Sequence, residues 1–193
     1  MSVISFILIA IAFGISIMLL MHRCTGLAPI HLSAGLLVSF VFAVIHAAMF
    51  CLGIRLGNLL RFELPDNADA FSQANSLVFL GLGAFIAIRM LLPYMGKKTT
   101  PASYDLNTGF LRVLLFALGA SINGFLFGVG AGFITSLMGH FHGIFWPLFV
   151  STLLFSYLGI MYGRQHVKLR PRRWMAISSI LLLGVIIAAV VNN

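Results

Sequence analysis

The chain has 193 residues, of which 61% are hydrophobic and only 8% are charged. A soluble domain carries about 25% charged residues, so this composition excludes a soluble class and indicates an integral membrane protein. The net charge of +8 is high enough to suggest nucleic acid as a partner of a soluble protein. Here the basic residues cluster in short loops between apolar segments, which is typical of membrane topology. No motif that reads RNA or DNA is present, so we expect the lipid bilayer and no nucleic acid as a partner.

Six apolar segments are long enough to cross a bilayer, which takes about 20 residues in a helix. They are residues 3–21, 32–53, 74–94, 109–134, 143–163 and 174–191. Open strands cannot cross lipid with unpaired backbone groups, so all six are predicted to be helices of a single all-α membrane domain over residues 1–193. The first segment lacks a basic region before it, and its first charge, Arg23, follows the apolar run. It is therefore interpreted as a retained spanning helix.

The distribution of Lys and Arg predicts the orientation. If both termini are extracytoplasmic, the cytoplasmic side holds most of the basic residues: Arg23, Arg89, Lys97, Lys98, Arg112, Arg164, Lys168, Arg170, Arg172 and Arg173. Only Arg55 and Arg61 then lie outside, and we expect a bacterial inner-membrane protein with this topology. The basic loop 164–173 is interpreted as a topology determinant that touches anionic lipid, in preference to a specific ligand site.

Small residues recur at every fourth position of the fourth segment, at Ala120, Gly124, Gly128 and Gly132. On a helix they form one strip against which another helix backbone can pack closely. The sequence leaves open whether that helix belongs to the same chain or to a second protomer, so a homodimer or a membrane-protein partner stays an alternative.

Two short motifs recur at nearly the same separation. Residues 12–18 (AFGISIM) resemble 117–123 (ALGASIN), and residues 52–57 (LGIRLG) resemble 158–163 (LGIMYG), at offsets of 105 and 106 residues. Three spans repeated after three spans have opposite orientations in the membrane. We therefore predict two inverted three-helix halves, about 1–94 and 107–193, an architecture common in secondary transporters with a site near the midplane.

Intramembrane polar residues are the candidates for function. No Asp or Glu lies in any of the six predicted spans, and the polar residues considered are Ser16, His46, Ser121, Asn123, Ser151 and Thr152. The repeat offsets match His46 with Thr152, Met18 with Asn123, and Ser16 with Ser121. We predict a substrate or ion pathway of His46, Asn123, Ser121, Ser16, Met18 and Thr152, with His46 and Asn123 as candidate metal ligands.

Each candidate has a structural alternative. His46 is either a ligand or proton carrier, or a neutral histidine hydrogen-bonded to a neighbouring helix. Thioethers at Met18 and Met49 favour soft ions, but methionines in apolar chains more often fill packing gaps. Asn123 and Ser121 are more often helix-to-helix hydrogen bonds than ligands.

Three stretches carry a resemblance to a known family: residues 14–18 (GISIM), 120–130 (ASINGFLFGVG) and 156–164 (SYLGIMYGR). Arg89 and Met90, which close the third span, also fit. In these stretches the chain resembles the MntP-type manganese efflux pumps, within the wider LysE-like group of exporters. The resemblance covers nearly the whole chain and implies six spans, outside termini, inverted halves and metal export.

The chain departs from that family at the positions that would bind manganese. In the family the serine patterns of spans 1 and 4 end in aspartate and span 2 carries a glutamate, whereas Met18, Asn123 and His46 stand here. The leading hypothesis is therefore a cation exporter, for manganese or another metal, with an altered ion site. The alternative is a non-transporting structural or regulatory membrane subunit of the same fold. An enzyme is not expected, and no cofactor is expected beyond a transported metal ion.

Overall fold

A computed structural model describes residues 3–27, 30–62, 68–95, 109–134 and 141–191. Within these ranges the regular structure is entirely helical, joined at 30–31 and 165–170 by short non-helical segments, and contains no strand. The helices are α1 Val3–Leu27, α2 Leu32–Phe62, α3 Ala68–Met95, α4 Gly109–Ile134, α5 Phe141–Arg164 and α6 Pro171–Val191. All six contain a stretch long and apolar enough to cross a membrane, which confirms the predicted fold class.

The second and third helices are longer than the predicted spans 32–53 and 74–94. α2 continues to Phe62 and α3 begins at Ala68, and residues 63–67 lie outside the described part. The prediction ended the second span before the charge of Arg55. An arginine near a helix end can extend its charged group to the interface, so one charge does not end a helix, and the Arg55 side chain is exposed here. Lys97, Lys98 and Asp105 also lie outside the described residues.

The helices pack in a regular pattern. α1 packs on α5 and α6, α4 packs on α2 and α3, α2 packs on α5, and α3 packs on α6. The set of pairs is unchanged when α1, α2 and α3 are exchanged for α4, α5 and α6. Two inverted halves would give this symmetry of pairing, and the repeat itself stays a prediction.

The strip of small residues on α4 packs against α2 of the same chain. A Cβ added at Gly128 would meet the carbonyl oxygen of Phe50, and one at Gly53 would meet that of Phe125. A Cβ at Gly132 would lie 2.9 Å from the backbone nitrogen of Asn58. The two helix backbones are therefore in direct contact, as the strip predicts, and the contact lies within one protomer.

α1 and α5 approach each other in the same way. A Cβ at Gly159 would meet the carbonyl oxygen of Met18, and one at Gly163 would lie 2.7 Å from that of His22. These two tight pairs, α2 with α4 and α1 with α5, fix the positions of the side chains between them, because backbones in contact leave no room for sliding.

Candidate ion site at His46

His46 lies at the middle of the membrane-spanning part of α2. The apolar segment runs from Leu32 to Leu60, so His46 is 14 residues from either end. At 1.5 Å per residue that is about 21 Å from each end of the segment. The side chain is 1% exposed, which places a titratable ring in the centre of the bundle.

One ring nitrogen of His46 is hydrogen-bonded to α4. Nδ1 lies 3.3 Å from the hydroxyl oxygen of Ser121. That hydroxyl donates its single proton to the carbonyl oxygen of Ala117 at 2.7 Å, so it must accept from the ring. The neutral ring therefore carries its proton on Nδ1, and the second nitrogen holds a lone pair.

The second nitrogen, Nε2, is buried and has no hydrogen-bond partner. A charged imidazolium would leave an N–H donor there without an acceptor, which costs free energy in an apolar interior. The site therefore favours the neutral ring. A neutral imidazole nitrogen with a free lone pair is a common ligand of transition metals and also a proton acceptor.

Glycine and aromatic rings shape the space around the imidazole. A Cβ at Gly124 would lie 2.8 Å from Cε1 of His46 and 3.1 Å from Nε2, so the ring occupies the notch that the missing side chain leaves. Phe13 of α1 tilts against the ring at 5.4 Å between centroids. Phe13 in turn packs edge-on against Phe127, which also contacts Phe50 and Phe79.

Apolar side chains close the space between α2 and α4 on both sides of His46. Towards the end of the bundle where α1 begins, Phe50, Ile54 and Ala131 belong to one buried cluster. Towards the opposite end, Phe42 and Ala117 belong to a second cluster. His46 thus lies in an occluded position between two hydrophobic barriers.

Buried polar atoms without partners coincide with the predicted pathway. Within the described part of the chain they are Nε2 of His46, Oδ1 of Asn123 and Oγ1 of Thr152. Buried polar groups are nearly always hydrogen-bonded, so each exception needs an explanation such as a ligand. All three belong to the residues that the sequence singles out.

The structure brings only some of the predicted residues together. Ser121 contacts His46. Asn123 is two residues further along α4, about 200° around the helix, on the face that carries Gly130. A Cβ at Gly130 would lie 3.2 Å from Phe79 of α3, so this face of α4 looks towards α3 and away from His46. A single site that contains both His46 and Asn123 is not formed here.

The two α1 candidates occupy different environments. Met18 is buried in the main core and Ser16 is half-buried. The backbone contacts also pair Met18 and Ser16 with residues of α4 other than those that the repeat offsets give. The carbonyl oxygen nearest to a Cβ at Gly53 belongs to Phe125, and the one nearest to a Cβ at Gly159 belongs to Met18. If Gly53 and Gly159 are equivalent positions of the two halves, Met18 is equivalent to Phe125 and not to Asn123. That register matches Ser16 with Asn123, which is likewise half-buried. A shift of two residues turns a helix face by about 200°, so the two alignments place different side chains at equivalent positions.

Two buried serines were missed by the sequence reasoning. Ser156 of α5 donates to the hydroxyl oxygen of Ser39 of α2 at 3.0 Å, and both residues are fully buried. Their spacing from the predicted site residues could have indicated them. Ser39 is seven residues before His46 and Ser156 is four residues after Thr152, so each shares a helix face with a predicted site residue.

The basic end of the bundle is held by a separate contact. Nε2–H of His22, near the end of α1, donates to the carbonyl oxygen of Val167 at 2.8 Å. Beyond α5 the chain turns at His166, whose φ of 51° closes the helix with backbone hydrogen bonds from His166 to Gly163 and from Val167 to Tyr162. Arg164, Lys168 and Arg170 are exposed around this turn.

The donor set for a metal is small. Among the described residues no three His, Cys, Asp or Glu side chains come together closely enough to hold a metal ion. The six membrane-spanning stretches contain no Asp or Glu. The Nε2 atom of His46 is therefore the strongest ligand atom that the centre of the described bundle offers.

Comparison with known families matches this architecture. A sequence profile of the family described as "Putative manganese efflux pump" (MntP) matches residues 29–190. The chain belongs to this family. Neither the comparison with curated proteins nor the comparison with solved structures found a match. The MntP membership confirms the resemblance seen in the sequence and, with six apolar helices, makes the chain a multi-pass member of a family of transporters and not of enzymes.

Proposed function

We propose that the chain is a metal-cation exporter of the MntP type in which His46 replaces the carboxylates as the central ligand. The observation that carries this proposal is the buried, unpartnered Nε2 of His46 at the midpoint of α2. The Nδ1–H bond to Ser121 fixes the tautomer and leaves the lone pair on Nε2. Hydrogen bonds of this kind orient metal-binding histidines in other proteins.

The chemistry of the site bears on the choice of ion. A neutral imidazole suits the later transition metals, whereas Mg²⁺, Ca²⁺ and Mn²⁺ prefer carboxylate, carbonyl and water oxygens. Affinity for nitrogen ligands rises from Mn²⁺ through Fe²⁺ and Co²⁺ to Ni²⁺ and Cu²⁺. The proposed substrate class is therefore the divalent transition metals, of which manganese is bound most weakly at this site.

The proposal also includes the orientation of the chain in the membrane and the inverted repeat. One end of the bundle holds the ends of α1 and α5 and the starts of α4 and α6, with Arg23, Arg112, Arg164 and Arg170. The end of α2, which carries Arg55, lies at the opposite end of the bundle. This asymmetry supports a cytoplasmic basic side, extracytoplasmic termini and two inverted halves in a bacterial inner membrane. The exposed basic turn at 164–170 is suitably placed to contact anionic lipid.

The test is the metal content of cells that lack their own manganese exporter, measured by mass spectrometry after growth in excess Mn²⁺, Co²⁺ or Ni²⁺. The native chain is expected to lower the content of at least one metal, and His46→Ala is expected to abolish the effect. Ser178→Ala is the matched control, because Ser178 is a buried serine of α6 that bonds the carbonyl oxygen of Ala12. Equal metal export by the native chain and the His46→Ala variant would refute the proposal.

A second candidate is a non-transporting membrane subunit of the same fold. The lack of carboxylates in the spanning stretches favours it, since nothing there offsets the charge of a divalent ion. This candidate predicts no change in any metal content with the native chain and a stoichiometric partner that copurifies in mild detergent. A flux that depends on His46 would exclude it.

A further inference from the structure

The interface between α2 and α5 carries a bonded pair of buried serines between the membrane centre and the basic end of the bundle. On α2, Ser39 lies seven residues before His46, and on α5, Ser156 lies four residues after Thr152. Both spacings keep the side chains on one helix face. We call Ser39, His46, Thr152 and Ser156 the serine seam. Its two serines are joined across the interface by the 3.0 Å hydroxyl hydrogen bond.

The opposite halves of the same two faces are aromatic. Phe50 lies four residues after His46 on α2, and it stacks on Phe127 with 6.0 Å between centroids. Phe145 lies seven residues before Thr152 on α5, and it stacks on Phe149 at the same distance. Aromatic rings also meet across the interface itself, because Phe40 of α2 packs edge-on against Phe149 of α5 at 5.8 Å between centroids.

The hydroxyl side leads to the basic end of the bundle. Ser39 is seven residues from the start of α2 at Leu32, and Ser156 is eight residues from the end of α5 at Arg164. Arg23 of α1 lies at this same end. The aromatic side leads to the end where α1 begins and α2 finishes.

Thr152 gives an independent indication that the seam receives a ligand. It is 0% exposed and its hydroxyl has no partner. Threonines inside helices usually donate to the carbonyl one turn back, as Thr25 does to Met21 at 2.7 Å. Thr152 lies one turn from Ser156, so a buried hydroxyl is left unbonded midway along the seam.

We propose that the serine seam is the route by which the cation moves between His46 and the basic side, and that the bond between Ser39 and Ser156 closes it. Opening this route separates α2 from α5, which breaks the neutral hydroxyl bond and parts Phe40 from Phe149. Hydroxyl oxygens then replace part of the water around the ion on its way to Nε2 of His46. This inference rests on the proposed export function for the identity of the cargo.

The first test measures access and needs no transport. The two native cysteines, Cys24 and Cys51, are replaced by Ala, and a single Ser156→Cys variant is exposed to a small cationic thiol reagent that does not cross membranes. The control is Ser178→Cys, since Ser178 is equally buried but faces α1. Ser156→Cys is expected to react from the basic side about ten-fold faster or more, because a minor open state of even a few per cent suffices. Reaction no faster than the control, or reaction from the opposite side, would overturn the proposal.

The second test locks the seam. In the same cysteine-free background, a Ser39→Cys/Ser156→Cys pair is oxidised to a disulfide, which the 3.0 Å separation of the native hydroxyl oxygens favours. Export of the metal identified above should stop on oxidation and return on reduction, and unchanged export by the cross-linked protein would overturn the proposal. If the native chain exports no metal, the labelling result still decides whether the seam opens, so failure of the cargo assignment is distinguished from failure of the route.

Discussion

The notch at Gly124 allows the His46 site to be perturbed without replacing a ligand residue. In a Gly124→Ala variant the new Cβ would lie 2.8 Å from Cε1 of His46. Carbon atoms pack at about 3.5 Å or more, so the ring must move away from α4 by about 0.7 Å. The Nδ1 contact with Ser121 is already 3.3 Å long, and the same displacement takes it beyond hydrogen-bonding range.

The expected loss is in metal binding and not in folding. Ala in place of Gly inside a helix stabilises by about 0.5–1 kcal/mol, and the lost hydrogen bond costs about as much, so thermal stability should change little. Loss of an orienting bond to a metal-binding histidine typically weakens metal affinity about 10–100-fold. We expect Gly124→Ala to bind Co²⁺ or Mn²⁺ at least about ten-fold more weakly than the native chain, measured by equilibrium dialysis in detergent.

Gly119→Ala is the matched control, because a Cβ at Gly119 of the same helix meets nothing within 4 Å. It should retain native affinity and export. If Gly124→Ala also binds and exports like the native chain while His46→Ala does not, then the position of the ring does not depend on the notch. That result would show that the Nδ1 bond to Ser121 does not position Nε2 for metal binding.

Three further predictions use the same contacts. Thr152→Val removes a buried hydroxyl that has no partner, so it should raise the unfolding free energy by about 1 kcal/mol while reducing export. Thermal unfolding measures the first effect and cellular metal content the second. A lower stability of the variant would contradict the prediction. Gly128→Ala places a Cβ against the backbone of α2 and should lower thermal stability, whereas Gly184→Ala, with open space, should not. His22→Phe removes the 2.8 Å bond to Val167 and should speed proteolysis of the basic turn at a cost of about 1 kcal/mol, with export unchanged.

The six helices could be predicted from their long apolar runs, because a segment that crosses a bilayer must be long enough and must form its hydrogen bonds internally. The strip of small residues on α4 likewise predicted a close helix contact. The sequence did not say which helix fills the strip, and α2 does so through Gly53 and Gly57. The extension of α2 to Phe62 was missed because a single arginine was interpreted as a boundary.

For the site, the sequence singled out positions, and it did not indicate which of them the helices bring together. The rarity of buried polar groups in lipid pointed to His46, Asn123 and Thr152, and those three hold the unpartnered atoms among the described residues. Whether two of them share a site depends on helix rotation, and Asn123 lies on another face. Ser39 and Ser156 were overlooked because an isolated serine in a span is common and only the facing helix makes it a pair.

For the proposed export, the lack of carboxylates in the spanning stretches also determines which half of the transport cycle responds to the membrane voltage. A carrier with fixed negative charges becomes nearly neutral when it is loaded, so voltage acts mainly on its empty form. With only a neutral imidazole at the centre, the empty form moves no net charge and the loaded form carries the whole charge of the ion. Moving a divalent ion outward against an inside-negative potential then costs about 4.6 kcal/mol per 100 mV. Depolarising the membrane should therefore accelerate the outward step of this chain and leave its return unaffected.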